Sequence, residues 1–222
     1  MERQMTDHTQ HDDVDGAGRR HIGDDAASWD ARYADVDVMW SGRPNETVVG
    51  EASRLTPGRA LDAGCGEGAD AMWLAEVGWD VVAVDISEVA IHRAAMAASQ
   101  RDLPVTWMPL DLTTDAPEPE MYELVSVPYL PIRLDAGTDP ITRLFDAVAP
   151  GGVLLWIEHH HTEQSMVAAL ELGWDPSEYH GAVEVRALLP DGWTIELDEV
   201  RPVMREDAHQ LSDVVLRVRR DS

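Results

Sequence analysis

The chain has 222 residues, 44% of them hydrophobic, enough for one domain with a real core plus a tail. Lys+Arg is 17 against Asp+Glu 42, a formal charge of −25. Such a surface repels phosphate backbones and anionic lipid heads, which argues against non-specific nucleic-acid binding and peripheral membrane docking and leaves small molecules or cationic partners.

Every basic residue is Arg; there is no Lys. Schiff-base lysine chemistry and the Walker A phosphate loop are thereby excluded. The lone Cys65 rules out an internal disulfide. No apolar run approaches the roughly 20 residues that span a bilayer, and the acidic N-terminus lacks a signal-peptide core. The expectation is a cytoplasmic, bacterial protein, monomer or homodimer, with no membrane or nucleic-acid partner.

In chain order, residues 1–27 are polar and acidic and read as a flexible tail. Residues 28–222 read as a single domain. Within it, 28–56 hold short helices, beginning with an irregular aromatic stretch from Trp29 to Trp40. A turn at Ser41–Asn45 follows, then a helix stopped by Pro57-Gly58. From 57 to 160 strands and helices alternate. Arg59–Ala63, Asp80–Val84, Val105–Leu110, Tyr122–Val127 and Val153–Glu158 are predicted strands. Helices are predicted over Glu67–Val77, from a Ser87 cap to Arg101, and over Pro140–Val148. This alternation predicts a parallel sheet covered on both faces. Residues 161–222 read as two helices, 162–172 and 181–189, then a hairpin of Trp193–Val203 and Ser212–Arg219.

The stretch Leu61-Asp62-Ala63-Gly64-Cys65-Gly66-Glu67-Gly68 lies between a predicted strand and a predicted helix. In an open parallel sheet ligands bind there, beyond the carboxyl ends of the strands. Asp85 ends the second strand and Asp111 follows the third, where carboxylates can meet ribose hydroxyls and an adenine amino group. Helix capping is the competing role for Asp85, and a plain loop position for Asp111. The spacing Gly64-x-Gly66-x-Gly68 is not the dinucleotide fingerprint G-x-G-x-x-G. Carboxylates at 62 and 67 would repel a pyrophosphate and suit a ligand carrying an ammonium and a sulfonium.

These residues, with Val84-Asp85-Ile86-Ser87, Asp111-Leu112 and Ala149-Pro150-Gly151-Gly152-Val153-Leu154, resemble the class I S-adenosylmethionine-dependent methyltransferases. Trp29-Asp30-x-Arg32-Tyr33 and Trp40-Ser41-Gly42-x-Pro44-Asn45 resemble the small-molecule branch related to tellurite-resistance and thiopurine methyltransferases. The resemblance implies a Rossmann-like seven-stranded sheet of order 3-2-1-4-5-7-6 with strand 7 antiparallel and helices on both faces. It implies S-adenosyl-L-methionine as cofactor. Gly64, Cys65, Gly66 and Gly68 would form the loop against it, and Asp62 would act on its amino group. Asp85 would hold the ribose, with Ile86 against the adenine, and Asp111 and Leu112 would meet the adenine edge. Val127 would border both cofactor and acceptor. Tyr33, Trp40 and Arg43 are lid candidates, core packing being the alternative for Trp40.

If the acceptor is a small thiol, amine, hydroxyl or chalcogen compound, a base assists proton removal. His159, His160 and His161 at the end of the fifth strand are candidates, with strand alternation placing 159 and 161 on one side and 160 on the other. A polar strand exit is the competing reading. No metal site is expected. A non-catalytic S-adenosylmethionine-binding regulatory protein is the alternative function.

Overall fold

The computed structural model of the protein describes residues 24–202 and 212–222. Most of the expected tail, and the turn joining the last two strands together with Val203, lie outside those residues. The domain starts earlier than expected. Helix α1, Ala26–Ala34, is capped by the Asp25 carboxylate, which accepts from the Ser28 amide at 2.7 Å. Ala26 and Ala27, expected at the end of the tail, are the first two residues of this helix.

The order continues with α2 (Glu46–Ala52), β1 (Arg59–Ala63), α3 (Ala69–Glu76), β2 (Asp80–Asp85), α4 (Glu88–Ser99) and β3 (Val105–Pro109). Then come β4 (Tyr122–Pro128), α5 (Asp139–Ala147), β5 (Val148–His159), α6 (Glu163–Glu171), α7 (Ala182–Ala187), β6 (Trp193–Pro202) and β7 (Ser212–Arg220). The seven strands form one sheet in the order β3-β2-β1-β4-β5-β7-β6. β7 runs antiparallel to both β5 and β6, and the other pairings are parallel. This is the sheet order implied by the resemblance.

Alternation along the strands divides the core between the two faces of the sheet. Leu61, Val125, Val127, Leu154, Trp156 and Leu216 pack on one side with Leu144 and Phe145 of α5 and Val185 of α7. Ala60, Val81, Leu124, Leu155, Ile157 and Val215 pack on the other with Val48 of α2 and Leu74 of α3. Strands buried on both faces explain the nearly continuous apolar runs in the sequence.

Two boundaries moved for local reasons. α3 begins at Ala69, not Glu67, because Gly68 is left-handed at φ +81° and forms its N-cap. β5 begins at Val148, directly after α5, so Pro150-Gly151-Gly152 lies inside the strand rather than in a turn. Its pairing with β4 shifts register there.

Gly68 is a glycine for packing as well as conformation. A Cβ there would lie 2.7 Å from Trp107 Cζ3 and 2.9 Å from the Ala94 Cβ. Gly68→Ala should lower stability by about 1–3 kcal/mol, since overpacking adds to the left-handed backbone cost. Urea unfolding with an unchanged midpoint would contradict this.

Candidate functional site

A cavity of about 800 Å³ opens at the carboxyl ends of β1, β2, β4 and β5. Its floor is the loop from Gly64 to Gly68. The Gly64 and Cys65 amides donate to the Val84 carbonyl at 2.8 and 2.9 Å, tying the loop to β2. Gly66, at φ +53°, lies close under the lid: a Cβ there would sit 3.0 Å from the Tyr33 hydroxyl and 3.1 Å from Trp40 Nε1.

Two carboxylates flank this floor. Asp85 accepts from the Gly66 amide through Oδ2 at 2.8 Å and from the Ser87 amide through Oδ1 at 2.9 Å. Burial pushes its carboxyl up against the opposing effect of those two amides. The capping of α4 belongs instead to Ser87, whose hydroxyl accepts from the Ala90 amide. Asp62 is fully buried, and neither of its oxygens makes a hydrogen bond of ordinary geometry among the described residues, although the Ala71 amide partly eases its charge. Burial, with the neighbouring Asp70 and Asp85 charges, holds its carboxyl well above the usual range. A buried carboxylate so short of donors is costly, and a ligand ammonium would supply what Asp62 lacks. Burial beside Asp62 also pushes the Cys65 thiol up, which leaves it a wall rather than a nucleophile.

The segment before α2 folds over the floor. Trp40 Nε1 donates to the Tyr33 hydroxyl at 3.0 Å. The amides of Met39 and Trp40 donate to Glu67 Oε2 at 3.0 and 3.1 Å, while Glu67 Oε1 pairs with Arg93 at 3.1 Å. Glu67 lines the cavity, and its carboxylate also holds the lid down. Asp30 docks α1 onto α4, accepting from the Ser87 hydroxyl at 2.6 Å and the Val89 amide at 3.1 Å. Tyr33, Trp40 and Arg43 all line the cavity, with Tyr33 buried and Trp40 half exposed.

Gly64, Cys65, Gly66, Gly68, Ile86, Asp111 and Leu112 line the cavity together with Asp62 and Asp85. Asp111 Oδ1 is engaged in its own turn, accepting from the Thr113 amide at 2.9 Å and the Thr113 hydroxyl at 2.6 Å. Val127 is not brought to the cavity. It is fully buried on the α5 side of the sheet, and the cavity wall after β4 is formed by Pro128, Tyr129 and Leu130.

The three histidines divide as strand alternation predicts. His159 and His161 line the cavity. His160 does not; its Nδ1 lies 3.1 Å from the Ser212 hydroxyl. Burial and the two neighbouring imidazoles lower the pKa of His161, so it favours the neutral form. His159 stacks on Tyr129 with centroids 4.2 Å apart, and its Nδ1 lies 3.4 Å from Asp213 Oδ1.

Several cavity residues were not foreseen. His180 is buried, with Nε2 2.9 Å from the Gly137 carbonyl oxygen and Nδ1 without a hydrogen-bond partner among the described residues. Trp174 and Tyr179 continue an aromatic wall from His161. Glu158 accepts from Trp156 Nε1 and from the Ala182 amide, both at 2.8 Å. Asp213 comes from β7. These groups gather through pairings between distant segments, which no local pattern records.

Against known proteins, residues 60–152 match the family described as a methyltransferase domain. The ribosomal RNA small subunit methyltransferase C of Alcanivorax borkumensis is 35% identical over 106 residues, which is 46% of this chain and 32% of the relative. The chain spans about a third of the length of the curated relatives it matches. Among solved structures, one from work on the conversion of a disulfide bond into a thioacetal group during echinomycin biosynthesis is 25% identical, with a TM-score of 0.73 over 88% of this chain and 92% of the other. The N-methyltransferase NodS of Bradyrhizobium japonicum, in complex with S-adenosyl-L-homocysteine, superposes with a TM-score of 0.68 at 18% identity, covering 90% and 100%. No helix among the described residues is long and apolar enough to cross a membrane.

Proposed function

We propose that the chain, whose residues 60–152 match a methyltransferase domain and whose fold is shared with solved methyltransferases, binds S-adenosylmethionine and transfers its methyl group to a small acceptor held beside His159. The observation that carries this reading is Asp62. Its buried carboxylate, short of donors among the described residues, lies beside the glycine floor and is matched to an ammonium.

The residues present fit the cofactor. Asp62 would pair with its amino group. The glycine loop, with Cys65, would lie against its methionine part. Asp85, whose oxygens each retain a further lone pair, would accept from the ribose hydroxyls. Ile86, Leu112 and Asp111 would border the adenine. When bound, the cofactor supplies a methyl group on a sulfonium, and displacement leaves the carbon–sulfur electron pair on a neutral thioether.

The chain's own residues then act by placement. Tyr33 and Trp40, fixed to each other and to Glu67, cover the floor and exclude water. The wall from Tyr129 through His161 to Trp174 and Tyr179 offers aromatic surface to an acceptor. His159 takes the acceptor's proton. The carboxylates of Glu158 and Asp213 along this wall favour an acceptor that is not anionic. With a charge of −25, the chain suits a small molecule in the cytoplasm better than the ribosomal RNA named for the Alcanivorax relative.

Titration calorimetry tests the reading. S-adenosylmethionine or S-adenosylhomocysteine should bind at micromolar concentration and NAD should not. Asp85→Ala should weaken that binding tenfold or more, on the order of one lost pair of charge-assisted hydrogen bonds. An unchanged affinity would remove Asp85 from the site. Methyl transfer from labelled cofactor to thiols, amines, phenols and chalcogen oxyanions separates an enzyme from a protein that only binds the cofactor.

A further inference from the structure

β5 and β7 pair antiparallel, and their register sets His159 directly opposite Asp213. Asp213 is 3% exposed. A carboxylate buried that deeply needs donors, and two side chains from different elements face it. The Tyr129 hydroxyl donates to Oδ2 at 2.6 Å, and His159 Nδ1 lies 3.4 Å from Oδ1. Tyr129 is one of three non-glycine residues with positive φ among the described residues, at +56°. A bulky residue rarely adopts that conformation, and it persists where surrounding contacts over-determine it. Here those contacts include the Asp213 hydrogen bond, the stack on His159 and the Tyr129 amide, which donates to the Ile157 carbonyl at 2.8 Å. Tyr129, His159 and Asp213 all line the cavity.

We propose that Asp213 and Tyr129 are positioning residues that hold His159 in one tautomer as the base for an acceptor bearing a removable proton, a hydroxyl or a thiol. This rests on the methyltransferase reading above. An ionised carboxylate only accepts hydrogen bonds, so the ring nitrogen facing Asp213 carries the hydrogen. The lone pair is then on Nε2, the other nitrogen of a ring in the cavity wall. In the step, the acceptor's O–H or S–H bond breaks and its electron pair stays on oxygen or sulfur. The proton forms a new bond to Nε2, and the resulting imidazolium is balanced by Asp213. The 3.4 Å contact is at the long end of hydrogen bonding, and catalytic contacts of this kind tighten when substrate is engaged.

Tautomers are read directly by long-range proton–nitrogen NMR. Spectra are recorded on the full chain at about pH 8.5, two units above the ordinary imidazole value, with His159→Gln identifying the resonance. Wild-type His159 should be mainly in the Nδ1–H form. In Asp213→Asn the amide oxygen stays with the Tyr129 hydroxyl and the NH₂ turns to the ring, so the majority should switch to Nε2–H. Tyr129→Phe should keep the Nδ1–H form. A wild-type ring already in the Nε2–H form overturns the proposal, as does an Asp213→Asn ring that does not switch. If Asp213→Asn does not fold, the wild-type spectrum alone decides. Labelled-methyl assays complete the test. Turnover should be confined to phenols and thiols, and Asp213→Asn should lower it on the order of 10²–10⁴-fold. Equal turnover of tertiary amines or thioethers, unaffected by the substitution, counts against it. Calorimetry with S-adenosylhomocysteine runs in parallel. Loss of cofactor binding defeats the methyltransferase reading, while a wrong tautomer with cofactor bound defeats only this proposal.

Discussion

Glu51→Ala should destabilise the protein by about 3 kcal/mol, measured as a lower urea midpoint with an unchanged slope. Glu51 lies on α2 and is 1% exposed. Its carboxylate meets Arg217 of β7 at 2.5 Å, Arg201 of β6 at 2.8 Å and Arg54 at 3.3 Å. Removing one partner of a buried ion pair leaves the others uncompensated, at a typical cost of about 3–5 kcal/mol. The lower end applies because Arg201 and Arg217 reach partly to water. The cluster also fastens the antiparallel strand pair to the face of the sheet that carries α2, so its loss should loosen β6 and β7 first. Hydrogen exchange should rise in those strands before the rest of the sheet. A change below about 1 kcal/mol would mean that the arginines find water or other acidic partners at little cost.

Asp62→Asn should stabilise the ligand-free protein at neutral pH while weakening cofactor binding tenfold or more. The sign follows from linkage. The folded protein holds the Asp62 proton to higher pH than the unfolded chain does. Between the ordinary aspartate value and that raised one, the unfolded state binds fewer protons, so stability falls as pH rises. Above the raised value the slope vanishes, and the cost is that of a buried, unsatisfied carboxylate, about 1–3 kcal/mol. The Asn variant has no such group and should lack that part of the slope. Saturating cofactor should recover the loss in the wild type more than in the variant. Melting temperatures between pH 4 and about pH 8, with and without S-adenosylhomocysteine, check both halves. A wild type whose slope matches the variant's would show that Asp62 meets a donor in solution.

The same two residues mark what the sequence could and could not disclose. Asp62 was legible because strand, glycine loop and helix follow each other within Leu61–Ala69, and local patterns carry that information. The parallel core was legible for the same reason: strands buried on both faces read as apolar runs, and Pro or Gly punctuates their ends. Glu51 gave no such signal, because its partners on β6 and β7 sit 150 and 166 positions away along the chain. Asp213 was equally silent. Its position opposite His159 depends on the register of β5 against β7, which no local period fixes. Val127 was misplaced because the resemblance assigned a strand end to the cavity; the strand runs on to Pro128, and alternation turns Val127 to the core. Glu67 does line the cavity, but its hold on the Met39 and Trp40 amides depends on contacts between segments 28 and 27 positions apart and left no local signal. The start of α1 was missed because two alanines after an acidic stretch resemble a tail, although Asp25 supplies the cap.

β6 forms one border of the sheet, and a border strand presents unpaired amides and carbonyls to any passing chain. Glu196, Asp198, Glu199 and Arg201 are spread along it, and Pro202 closes it with no amide hydrogen to give. Glu196 is bound to Arg219 at 2.5 Å and Arg201 to Glu199 at 2.8 Å. Another extended segment would have to strip these ions of water before it could pair. The protein therefore carries its own guard against fibril-like stacking at this border, and neutralising Glu196, Asp198 and Glu199 together should increase self-association on concentration.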